Sequence, residues 1–161
     1  MKAQITPQPD KTSRARQTFD HSIQDAQQLL DHCESLGDPL PHSAEVFKRA
    51  GLVVAMTAWE TYVEDRLLEA VKGLLAQDAS HAGAFMLARL EEELKRLHNP
   101  TSEKTQKLFE DYLQVDVTVH WKWSGYDRAR AVGRLNELLE KRGERFIGPR
   151  LTQRNSQPRI W

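Results

Sequence analysis

Apolar residues recur along this chain at three- and four-residue steps, the spacing of helices that bury one face. Phe19, Ile23, Ala26, Leu30 and Cys33 form the first such stripe. Thr12 or Ser13 stands where a helix cap belongs, and Gly37-Asp38-Pro39 where the helix must stop. A helix is therefore predicted from about Ser13 to Leu36. Pro39-Leu40-Pro41-His42 then turns the chain. The second helix, predicted from its cap Ser43 to about Gln77, is the longest. Within it, Ala50 to Trp59 is apolar on every face. A helix apolar all round is covered on all sides, so this is the predicted centre of the fold. Beyond Trp59 the apolar positions narrow to a seam through Val63, Leu67, Ala70 or Val71, and Leu74. Gly51, about 1 kcal/mol less favourable than alanine inside a helix, marks the close approach of a second helix.

Asp78 or Ser80 opens a third helix, which Phe85, Leu87, Leu90, Leu94 and Leu97 carry to His98, and Asn99-Pro100 ends it. Thr101 or Ser102 begins a shorter helix through Leu108, Phe109 and Tyr112. The segment from Val115 to Trp123 alternates strictly, as a strand does, but nothing else in the chain offers it a partner. It is predicted to be an extended connector with its valines and tryptophans lying on the bundle. After a turn at Ser124-Gly125, a last helix starts near Tyr126 or Asp127. Ala131, Leu135, Leu138 and Leu139 form its apolar face, and the pattern stops at Arg142-Gly143. The predicted class is all-α: an up-and-down bundle of four to five helices around one long central helix, over residues 13–143. Residues 1–12, with Pro7 and Pro9, are predicted to be a flexible arm. Residues 144–161 are aperiodic and basic, a tail with no reason to fold alone.

A chain of 161 residues and 18.5 kDa holds one such domain, with roughly two thirds of its unfolded surface buried. No apolar run approaches the ~20 residues of a membrane span, and the N-terminus lacks the apolar core of a secretory signal. Cys33 is the one cysteine, which excludes an intrachain disulfide and suits a reducing cytoplasm. Its spacing makes it a buried small hydrophobe rather than a nucleophile. The net charge of +0 is unevenly spread. Val117 to Trp161 carries ten Lys+Arg and four Asp+Glu, net +6, against −6 for the remainder. A basic C-terminal third attracts a polyanion such as RNA, or pairs with the acidic part of a second copy.

No phosphate-binding glycine loop, paired-cysteine metal site or Ser-His-Asp pattern is present. The histidines, His21, His32, His42, His81, His98 and His120, lie far apart and read as surface or cap residues rather than metal ligands. Glu60 and Glu64 share a helix face one turn apart and repel each other unless one meets a cation. Glu60 adjoins the all-apolar segment, and a salt bridge to an arginine is favoured for it over a catalytic role.

Two blocks of this sequence resemble the HEPN domain (higher eukaryotes and prokaryotes nucleotide-binding) in its bacterial ribonuclease-like branch. One is Ala58-Trp-Glu-Thr-Tyr-Val-Glu-Asp-Arg-Leu67. The other joins Leu108 to Gly125, with its Trp-x-Trp-x-Gly, to Arg134-Leu-Asn-Glu-Leu-Leu-Glu-Lys-Arg-Gly143, and the similarity spans roughly Ser13 to Gly143. The resemblance implies a homodimer in which two last helices line a shared cleft. Each would end in an Arg followed, four to six residues on, by a His. It implies RNA cleavage without metal or cofactor: the RNA 2′-hydroxyl attacks, imidazole moves protons, and Arg holds the scissile phosphate. Arg142 matches the motif Arg, with Lys141 and Arg145 beside it as further phosphate contacts and Glu60 as a second catalytic candidate.

The motif His is absent: Ile147, Gly148 and Pro149 occupy its place, and no histidine follows His120. A literal Arg-x4-His at Arg16 and His21 falls in mid-helix, where such positions diverge, and is treated as chance. Phe146-Ile147-Gly148 is encoded TTY-ATH-GGN, and the frame two bases along reads YAT, which permits His at position 147. The expectation is therefore an HEPN-like relative of toxin or defence endoribonucleases, catalytically inactive in this chain, its ending either frameshifted or naturally degenerate. The alternative is a non-enzymatic dimeric interaction module, of the kind a regulatory or antitoxin-like protein provides. Nucleotide binding at a helix N-terminus, which the family's name suggests, has no glycine-rich turn to support it.

Overall fold

Each apolar stripe becomes a helix, and the residues that cap them are mostly those the sequence offers. The computed structural model describes residues 13–37, 41–76 and 80–146. Within them run α1 (Arg14–Glu34), α2 (His42–Leu75), α3 (His81–Leu94), α4 (Ser102–Leu113), a 3-10 turn (Val117–His120) and α5 (Arg128–Phe146). The fold is all-α. The predicted arm of residues 1–12 and the chain beyond Phe146 lie outside the described residues. Ser13, Ser80 and Thr101 each accept a first-turn amide N–H as N-caps of α1, α3 and α4. The N-cap of α2 is Pro41, two residues before the expected Ser43 and without a side-chain cap bond, so Ser43 is already helical.

α1 and α2 form a tight hairpin because their buried contact residues are small. Ala15, Ala26 and Cys33 are buried on α1, and Ala44, Gly51 and Ala58 on α2. A Cβ on Gly51 would sit 3.3 Å from the Ala26 carbonyl oxygen, so the expected close approach is there. The Cys33 thiol is buried and donates to the Ala44 carbonyl at 3.5 Å. Glu69 pins the start of α1: its carboxylate accepts the Ser13 hydroxyl at 2.7 Å and the Ala15 amide at 2.9 Å. That contact satisfies a helix-terminal donor with a negative charge at the positive end of the helix.

The main core lies on the second half of α2. Val63, Leu67 and Val71 pack with Leu90, Leu94 and Leu97 and with Leu108 and Phe109. At 34 residues and about 1.5 Å per residue, α2 runs roughly 50 Å and serves both the hairpin and this core. Its all-apolar stretch is less covered than predicted: Leu52, Val53, Val54 and Ala55 are half-buried. The physical reason is that the large side chains of α3 and α4 gather further along the helix. Leu74 and Phe85, both expected inward, are exposed.

Two further expectations change. The Val115–Trp123 segment is not extended throughout, since a 3-10 turn occupies Val117–His120. A three-residue period takes alternate residues off one common face. Val117 and Trp121 accordingly pack inward, whereas Val115, Val119 and Trp123 are exposed. α5 does not stop at Arg142-Gly143; it passes through Gly143 to Phe146. A glycine terminates a helix by adopting positive φ, and Gly143 is not among the positive-φ glycines, Gly37 and Gly125.

Tyr112 closes the open edge of the core by donating its hydroxyl to Glu93 at 2.9 Å. Burial, and then the hydrogen bond and charge of Glu93, push its pKa up to about 12. Tyr112 is expected to ionise late in an alkaline absorbance titration, with a midpoint near 12. Tyr112→Phe should remove that phase alone; a late phase that survives the substitution would assign it elsewhere.

Candidate functional site around Arg142

The site is built where α5 is tied to the rest of the bundle. At its start, the Arg128 guanidinium donates to Asp116 at 2.7 Å and to the Thr118 hydroxyl at 2.6 Å. Asp116 in turn accepts the amide and hydroxyl of Thr118. Against the burial that would raise it, those bonds and the Arg128 charge hold the Asp116 carboxyl below its ordinary range. In mid-helix, Asn136 accepts the Ser102 amide and donates to the Ser102 hydroxyl, both at 3.0 Å. Near its end, Arg142 Nη1 donates to Glu60 Oε2 at 3.3 Å. Ala131 and Leu139 are buried along the same helix. Three polar ties and an apolar face fix the axial position of α5, and with it that of Arg142.

Glu60 and Trp59, neighbours on α2, together hold the loop between α3 and α4. Trp59 Nε1 donates to the Pro100 carbonyl at 2.9 Å, and the Asn99 amide donates to Glu60 Oε2 at 3.3 Å. Asn99 sits at φ 49°, a left-handed turn that swings the preceding residue toward α2. His98 Nδ1 thereby comes to 3.8 Å from Glu60 Oε1. One carboxylate thus lies between a guanidinium and an imidazole. The Glu60 and Arg142 side chains keep 19% and 23% of their surface exposed, whereas His98 keeps 78%. The pair is half-sheltered, with the imidazole at its rim.

Glu64, one turn further along α2, is not part of the pair. Burial, and then the charges of Glu60 and Asp65, push its pKa up. It lines a groove of about 520 Å³ with Glu60, Asp65, Glu91, Lys95 and His98. Four carboxylates facing one lysine and one histidine make this side of the site unfavourable for a phosphate chain.

Of the residues singled out from the sequence, Arg142 and Glu60 are brought together and Lys141 is adjacent. The Lys141 ammonium pairs with Glu137, which also takes Arg134 at 2.6 Å. Arg145 lies on the last turn of α5, with its side chain outside what the structure describes. The arginine expected to neutralise Glu60 is Arg142 itself, so the two candidates form one unit. His98 went unrecognised as a neighbour of the site, since a lone histidine before Asn-Pro carries no sequence signal of it. Among the described residues, no group of three or more His, Cys, Asp and Glu side chains is placed to hold a metal ion. No described helix is long and apolar enough to cross a membrane.

The arrangement supplies a bidentate-capable cation, a carboxylate that positions it, and an exposed imidazole nearby. That set suits an anionic ligand such as a phosphodiester. Neither the comparison with curated proteins nor that with solved structures returned a match. The model of the RiboL-PSP-HEPN family matches residues 19–144, from the first turns of α1 to the last turn of α5. With most of its length covered by that match, the chain belongs to the RiboL-PSP-HEPN family.

Proposed function

We propose that this is a homodimeric RNA-binding protein of the bacterial cytoplasm, descended from metal-independent endoribonucleases of the toxin and defence type and cleaving RNA weakly or not at all. The observation that carries the reading is Arg142. Its guanidinium is held by Glu60 and remains partly exposed, at the position where the family's motif begins, while no histidine follows His120. Arg142 then binds phosphate, and the step that needs an imidazole at the motif's second position lacks its proton carrier. Loss of such a group costs about 10²–10⁴-fold or more in rate. The half-buried apolar stretch Leu52–Ala55 offers surface to a second copy. The frameshift explanation of the missing His belongs to the same proposal.

Binding of a labelled RNA across a series of salt concentrations tests it. Affinity is expected to fall steeply with salt, as release of condensed counterions requires. Arg142→Ala is expected to weaken binding roughly tenfold and to reduce the salt slope by about one. Binding that ignores both salt and Arg142 would instead support the interaction-module reading, which the acidic groove beside Glu60 favours.

A further inference from the structure

The turn before α5 presents an aromatic surface that the site described above does not use. Trp123 and Tyr126 exchange backbone hydrogen bonds, Trp123 N–H to the Tyr126 carbonyl at 3.0 Å and Tyr126 N–H to the Trp123 carbonyl at 2.9 Å. Gly125 between them has φ +81°, which a tight turn of this kind requires at its third position. The two rings stack with centroids 5.2 Å apart and planes 20° from parallel. Arg130 reaches back over the Tyr126 ring, 5.1 Å from its centroid, and donates to the Gly125 carbonyl at 3.1 Å. The result is a braced turn, with one indole face on Tyr126 and 59% of Trp123 still exposed.

We propose that Trp123, Tyr126 and Arg130 form a stacking platform for an unpaired base of single-stranded RNA. The proposal rests on the RNA reading of Arg142 and adds to it a second contact point and a preference for single strands. A base is a flat ring that extends the existing stack, and every base has a π-face to offer. The neighbouring charge suits the phosphates that accompany it. Among the described residues, Lys122 and Arg130 have no carboxylate within salt-bridge distance, unlike Arg128 and Arg134. Arg130 and Lys141 fall on one face of α5, eleven residues and about 17 Å apart at ~1.5 Å per residue. A strand leaving the platform along that face reaches Lys141, the residue before Arg142. Bases inside a duplex are already stacked on one another and gain nothing from the platform.

The experiment uses the full chain and a twelve-nucleotide RNA without internal pairing, carrying 2-aminopurine at its centre. Trp123→Ala is expected to weaken binding of this strand roughly 5- to 100-fold and to abolish quenching of the 2-aminopurine. Trp123→Phe should retain affinity within a few-fold, and a duplex of the same sequence should bind both variants as it binds the parent. Matching thermal melts show that the exposed substitution leaves the fold intact. Unchanged single-strand affinity in Trp123→Ala, with binding still weakened by Arg142→Ala, would overturn the platform and leave the RNA reading standing. Equal losses on single strand and duplex would also overturn it. So would a loss of dimer mass in Trp123→Ala without RNA, which would make the turn a protein contact. A parent chain that binds no RNA would overturn both readings.

Discussion

Replacing Leu67 with alanine is expected to cost about 3–4 kcal/mol of folding stability, the effect of emptying a buried leucine site that cannot collapse. Leu67 is 0% exposed and sits between Val63 and Val71 on α2, in the cluster where α3 and α4 meet that helix. Each neighbouring helix supplies large side chains to the same cluster, so no single element moves to refill the space. Against a total of about 5–15 kcal/mol for a typical domain, such a loss is a large fraction. Urea unfolding followed by helical circular dichroism should show a lower midpoint with an unchanged slope. Leu74→Ala is the control. It lies one heptad on in the seam predicted from the sequence, yet is 63% exposed. Its cost is expected to stay within about 0.5 kcal/mol. Equal costs at the two positions would place the core elsewhere along α2.

The contrast between Leu67 and Leu74 shows where sequence reading works and where it stops. Periodicity identifies which face of a helix is apolar, because that depends only on local geometry. It does not say how far along that face other helices reach. Leu67 and Leu74 are alike by pattern and opposite in burial, as Leu90 and Phe85 are on α3. Each of the caps Ser13, Ser80 and Thr101 was legible as one of two candidates, because a cap is a contact within one turn. Gly51 was legible because the cost of glycine in a helix calls for a compensating approach. The connector misled because alternation is shared by strands and by coincidence, and Asp116 bends the chain there through bonds to Thr118. At the site, Arg142 and Glu60 were each visible as candidates, but they are 82 residues apart in sequence and only the fold joins them. The turn at Ser124-Gly125 and the stop at Asn99-Pro100 were legible, but not that a left-handed Asn99 brings His98 to Glu60 or that the Gly125 turn stacks Trp123 on Tyr126.

On the proposed RNA reading, Ile147→His is expected to confer nuclease activity. The substitution places an imidazole five residues after Arg142, restoring the Arg-x4-His spacing that is missing after Arg142. If the proposed inactivity follows from the missing proton carrier, metal-independent cleavage of single-stranded RNA should rise about 10²-fold or more above the parent. The activity should survive a chelator and should peak near neutral pH, where one imidazole gives and another takes a proton. Cleavage that leaves a cyclic phosphate would identify the RNA 2′-hydroxyl as the attacking group. The double variant Ile147→His with Arg142→Ala should fall back to background, because the cation beside the scissile phosphate is gone. Reading the gene across codons 140–150 supplies the complementary result. A single-base change that restores a His in frame supports loss by frameshift, and its absence leaves a chain that diverged without one. A silent Ile147→His chain that still binds RNA through Arg142 would show that more than the motif His has been lost. The pairing of Arg142 with Glu60 would then be the first contact to test, because a guanidinium committed to a carboxylate has less of its charge to give a phosphate.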